Sequence, residues 1–132
     1  MNYWNSYHIF YDTHMEEVYD DVVTKINKHL KLRKYGIEFN ELRTIVNCSK
    51  GFDFQQRSRF SRKEKVLFFD IVLDYRHYME LETDLRKTYI AESFLRDMEV
   101  LHKYKPKGFV LDDLKQDFKH FFHSIGWLTS DE

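Results

Sequence analysis

The sequence predicts an α+β fold: a small antiparallel sheet, in the order β-α-β-β-α-α, with its helices packed on one face. Three observations predict it. Short segments rich in aromatic and β-branched residues occur at residues 3–11, 41–48 and 65–75. Longer segments repeat apolar residues every three or four positions. Only four Gly and one Pro interrupt the 132 residues, so regular elements should fill most of one domain spanning 1–132.

The first strand is "YWNSYHIFY", bounded by Asp12. A helix should follow, because Thr13 and Glu16 have capping-box spacing and Met15, Val18, Val22, Ile26 and Leu30 mark one buried face. Its acids come early and its Lys and Arg late, which suits the helix dipole. Gly36 is the expected stop. The second strand is "ELRTIVNC", with Leu42, Thr44, Val46 and Cys48 on one side. The third, "KVLFFDIVLDY", is the clearest. Leu67, Phe69, Ile71 and Leu73 should be core, and Val66, Phe68, Asp70 and Val72 form a half-polar opposite side. These two strands should form a hairpin around the segment between them.

From Arg76 to Lys103 the period becomes helical, through Tyr78, Leu81, Leu85, Tyr89, Phe94, Met98 and Leu101, with a break at Thr83. The segment 105–108 is a turn. A last helix starts at Asp112 or Asp113, carries Leu114, Phe118, Phe121, Phe122 and Ile125, and ends at Gly126, after which Trp127 folds back.

Bulk composition excludes several classes. At 42% hydrophobic and 17% aromatic, the chain is not of disordered type. Its single cysteine cannot make an internal disulfide, which fits a reducing, cytoplasmic setting. No apolar run reaches the ~18 residues that would span a membrane, and the first residues do not form a signal peptide. A net charge of −1 counts against a general nucleic-acid binder.

That balance hides an asymmetry. "SKGFDFQQRSRFSRKEK", Ser49 to Lys65, holds six basic residues, two acids and three phenylalanines. "KGFDF" resembles the start of the RNA-recognition-motif signature, but Asp53 replaces its small residue and Gln55, Gln56 and Arg57 replace its apolar continuation. A basic hairpin at 50–65 serving a small nucleic-acid-associated or regulatory module is therefore the alternative function. Arg beside aromatics is also what protein interfaces favour, so Arg57, Arg59, Phe60, Arg62 and Lys63 are the first candidates for binding a partner. Glu16, Glu17, Asp20 and Asp21 are the second, as an acidic surface for a basic partner.

Catalytic and metal signals are weaker than their structural readings. Asp70 and Asp74 lie ~13 Å apart along a strand, too far to share an ion, and Asp74 is placed to cap the helix carrying His77. His120 and His123 share a helical face but lack further ligands. Cys48 reads as a buried structural thiol. No glycine-rich phosphate loop is present in the sequence. The expectation is a non-enzyme with no cofactor and no metal.

The layout, with the strand "FFDIVLDY" running into a helix that ends "FLRDMEVLHKYK", resembles the small immunity proteins of bacterial polymorphic-toxin systems over about residues 64–104. The resemblance implies a protein that neutralises a cognate toxin by binding it. It carries over no binding residue by position.

Overall fold

The computed structural model of the chain describes residues 3–10, 12–36, 40–49, 59–105 and 107–129. A four-stranded sheet is backed by four helices. The strands are β1 (Tyr3–Ile9), β2 (Glu41–Ser49), β3 (Arg59–Ser61) and β4 (Val66–Asp74), in spatial order β1-β2-β4-β3. The helices are α1 (Thr13–Asn27), α2 (Tyr75–Glu80), α3 (Thr83–Met98) and α4 (Leu111–Ser124). Short 3-10 turns lie at Leu32–Tyr35 and Glu99–Lys103. Among the described residues, no helix is long and apolar enough to cross a membrane.

The mixed class of helices and strands is as the sequence indicates, but the sense of the sheet is not. β1, β2 and β4 are all parallel, and only the three-residue β3 runs antiparallel, against β4. β2 and β4 are therefore neighbours without being a hairpin. Parallel neighbours need a long connection rather than a tight turn, and residues 50–65 separate the two strands in sequence, with β3 at Arg59–Ser61. β4, flanked by β2 and β3, is buried along most of its length, on the helix side throughout and on the other side in part. Val66, Leu67, Phe69, Asp70, Ile71 and Leu73 of β4 are all buried.

The helices cover one face. Trp4 of β1 is 1% exposed and meets Tyr19 of α1, Phe94 of α3 and Phe118 of α4 edge-on, with ring centroids 6.1, 5.5 and 5.1 Å away. This geometry suits the positive edge and negative face of aromatic rings. Its indole N–H donates to Thr44 Oγ1 on β2 at 3.0 Å, which satisfies the one polar atom of a buried side chain. The α1 stripe includes Tyr19, which the apolar spacing alone does not pick out, while Val18 is only partly buried. In α3 the buried residues are Ile90, Ala91, Ser93, Phe94 and Met98, whereas Leu85 is 54% exposed.

The caps also differ in part. Asp12, not Thr13, caps α1 by accepting from the Met15 N–H, and Glu16 reaches back to the Phe10 N–H at 3.2 Å. α1 ends at Asn27, nine residues before Gly36. Asp74 does cap α2, accepting from the N–H groups of Arg76 and His77. Helix α3 begins at Thr83, after Glu82. α4 begins at Leu111, one residue before Asp112. Gly126 adopts φ +80°, Trp127 N–H donates to the Phe122 carbonyl at 2.9 Å, and the Trp127 ring stacks on Phe122.

Both β1 and β4 have outward backbone groups bonded by helix side chains. Asn27 accepts from the Trp4 N–H and donates to the Trp4 carbonyl, each at 2.6 Å. On β4, Asp97 accepts from the Val72 N–H, Arg96 donates to the Val72 carbonyl, and the Tyr89 hydroxyl accepts from the Asp74 N–H, each at 2.8 Å. Buried or half-buried ladder groups need such partners once no strand supplies them.

The 3-10 turn at Leu32–Tyr35 is tied to α4. Asp117 accepts from Lys34 Nζ at 2.8 Å and from the Tyr35 hydroxyl at 2.6 Å. Burial alone would raise the Asp117 carboxyl, but these two donors outweigh it and hold it below its usual range.

Candidate protein-binding surfaces

The first candidate is the basic segment. Arg57 falls at a position outside the described residues, as do Lys50 to Phe54 and the stretch on which the RNA-recognition likeness rests. Arg59 is exposed at the start of β3. Phe60 pairs with Leu67 and packs half-buried against the core, so its ring faces the helices rather than the outside. Arg62 and Lys63 are exposed on the β3–β4 turn. That turn is fastened from outside. Asn40 donates through its backbone to the Lys65 carbonyl and through its side chain to the Glu64 carbonyl, each at 2.8 Å.

The second candidate is α1. Glu17 is exposed, but its neighbours have structural work. Glu16 holds the Phe10 N–H, Asp20 pairs with His8 Nε2 at 2.8 Å, and Asp21 pairs with Lys25 one turn on at 2.9 Å. The helix dipole and these partners account for much of the acidic run.

A third grouping emerges only from the register. On the sheet face away from the helices, Asn5, Arg43, Phe68 and Arg59 lie directly opposite one another across all four strands. The Arg59 guanidinium sits 4.5 Å from the Phe68 ring centroid, and that of Arg43 lies 6.0 Å from both Phe68 and Tyr7. Glu41 is nearly buried and holds Arg43 through two contacts, one of them 3.0 Å from Nη2 to Oε1. This hydrogen bonding raises the already high Arg43 pKa further, so its charge is permanent. Tyr7 is 53% exposed, and its hydroxyl accepts from the Asn5 amide at 3.3 Å. The sequence singles out Arg59 as a partner-binding candidate and puts Phe68 on the half-polar side of its strand, but marks neither Phe68, Tyr7 nor Arg43 for binding.

The residues weighed as catalytic or metal-binding fall into separate pairs, Asp74 with His77 at the start of α2 and His120 with His123 one turn apart on α4. Asp70 is 2% exposed, Asp74 is a helix cap, and His77 packs edge-on against Tyr89 at 4.7 Å. Among the described residues no cluster of three or more His, Cys, Asp or Glu could hold a metal ion. Cys48 is buried, and this, with the negative charge of Asp74, pushes its thiol up to about 11 from 9.0. The native thiol should therefore react with a disulfide reagent at pH 8 at least ~100-fold more slowly than in the unfolded chain. Linkage has a definite sign. The unfolded thiol ionises first, so this group's contribution to stability is intact below about pH 9 and is lost as pH rises toward about 11. Buried Tyr19 and Tyr78, whose hydroxyls are also raised, extend the loss to higher pH. Alkaline melts with a flat Tm between pH 9 and 11 would contradict this.

The family profile of immunity protein 44 matches residues 5–124. The chain belongs to that family. The match takes in every helix and strand described, from within β1 to the end of α4. No curated protein and no solved structure matches the chain. For this immunity-family member, the relevant chemistry is that of surfaces able to bind a protein.

Proposed function

We propose that the chain is a non-enzymatic, cytoplasmic inhibitor that neutralises a cognate bacterial toxin domain by binding it. The family match over residues 5–124 carries this reading. The buried, high-pKa Cys48 is poorly suited to act as a nucleophile, which favours a binding role over thiol catalysis. Among the sequence candidates we place Arg59, Arg62 and Lys63 in the contact surface ahead of Glu17, Asp20 and Asp21, because two of those three acids already have partners within α1 or on β1. Phe60 then supports the strand from the core side. Arg57 and Glu16 belong to the same two proposed surfaces.

The test is co-expression with the toxin domain encoded by the neighbouring reading frame. Growth should be restored, and the two chains should co-purify as a stoichiometric complex. Persistent growth arrest in cells that contain abundant folded chain, with no complex on gel filtration, would defeat the proposal.

A further inference from the structure

We infer that the cross-strand row Arg43–Phe68–Arg59, with Tyr7 beside it on β1, is where the toxin docks, and that it receives an acidic patch of the toxin surface; this rests on the inhibitor reading above. α1, α3 and α4 all pack against the opposite face, through Trp4, Phe69 and Phe94. On this face the row and Tyr7 present two guanidiniums interleaved with two aromatic rings. Ordinary solvated cations do not need that arrangement. Stacking on a ring and clamping by Glu41 fix each guanidinium plane before a partner arrives, which reduces the ordering entropy lost on binding. Arg and Tyr in such fixed settings are the residue types that dominate binding energy at interfaces.

The charge of the row selects its partner. Among the described residues Arg59 has no carboxylate at ion-pair distance, and the adjoining turn adds exposed Arg62 and Lys63. Glu41 is already engaged by Arg43, and Asp70 on this face is buried. Exposed Glu64 on the same turn, near enough to act on Arg43, offsets one charge, but Arg43, Arg59, Arg62 and Lys63 leave the described surface net positive, and the planar forks suit carboxylates. An acidic protein surface fits it, and such complementarity speeds association.

The experiment uses the full chain with the neighbouring frame's toxin domain, each purified from the co-expressed complex and re-mixed. Arg59→Glu and Tyr7→Ala alter exposed side chains, so circular-dichroism melts should match the parent. Each should weaken binding at least about tenfold, and Arg59→Glu should mainly slow association, in a salt-dependent way. Lys107→Glu, at an exposed position beyond the row, should bind as the parent does. Parent-like kinetics for both Arg59→Glu and Tyr7→Ala, with the parent still binding and protecting, would overturn this surface while leaving the inhibitor reading intact. If the parent itself neither binds nor protects, the inhibitor reading fails first. A third result also overturns the inference: single-stranded RNA bound at 150 mM salt and lost in Arg59→Glu, with toxin binding unchanged.

Discussion

Phe94→Ala should lower stability by about 3–5 kcal/mol, the usual range for a large aromatic removed from a packed core. Phe94 is fully buried on α3, and its ring lies 5.5 Å from Trp4, 5.3 Å from Phe69, 4.8 Å from Phe118 and 5.4 Å from Phe122. Those four rings come from β1, β4 and α4, so one side chain joins sheet, middle helix and last helix. Because the neighbours are themselves large rings on different elements, the site cannot collapse without moving whole elements, and a cavity should persist. For a chain of this size the loss is a fall in Tm of roughly 10–20 °C. Urea titration should show the same loss as a lower midpoint. Leu85→Ala on the exposed side of the same helix supplies the comparison and should stay within about 0.5 kcal/mol. A Phe94→Ala loss below about 1 kcal/mol would mean that the ring cluster does not hold the layers together.

Gly36→Ala should be comparably damaging, by about 3 kcal/mol or more, for a different reason. Gly36 has φ +109°, a conformation that costs an L-residue roughly 1–3 kcal/mol. A Cβ there would also lie 2.1 Å from the Gly108 carbonyl oxygen. That atom is backbone and cannot rotate away. Next to it, the Val110 N–H donates to the Tyr35 carbonyl at 2.8 Å, so relief of the clash would pull the approach to α4 from the 3-10 turn. Gly126 separates the two effects. Its φ is +80°, but an added Cβ meets nothing within 4 Å. Gly126→Ala should therefore show only the conformational part, about 1 kcal/mol. Equal losses at the two glycines in parallel thermal melts would refute the close-approach argument.

Element identity was legible where a single physical signal dominated. Alternation marked β2 and β4, the 3.6 period marked α1, α3 and α4, and Gly126 with Trp127 announced the end of the last helix. Asp74 read correctly as a cap because its bonds are to residues two and three positions on. Sheet sense was less accessible, since it depends on where a crossover goes. One clue is present. Val66 to Leu73 is a nearly continuous apolar run, as suits a central strand of a parallel sheet, although its Leu67–Leu73 side alone looks like an alternating hairpin strand. The candidate site suffered from the same error. Arg43 and Phe68 become neighbours only in the parallel register, and Tyr7 joins them only because β1 is parallel to β2 as well. Arg59 could be singled out from composition, whereas its stacking partner could not. Phe60 shows the converse: a phenylalanine among basic residues looked outward-facing in the sequence, while pairing with Leu67 turns it toward the core.

The side-chain bonds to Trp4 and Val72 bear on how evolution can alter this molecule. A protein that recruits its partner by strand donation relies on main-chain groups, which every sequence shares, and so discriminates poorly between related partners. Here Asn27 occupies the peptide groups of Trp4, and Asp97 and Arg96 occupy those of Val72. At these positions a visiting strand would have to displace bonds already made. Around these two peptide groups any recognition would fall to side chains, where a few substitutions can change what is bound while the ladder beneath them stays unchanged.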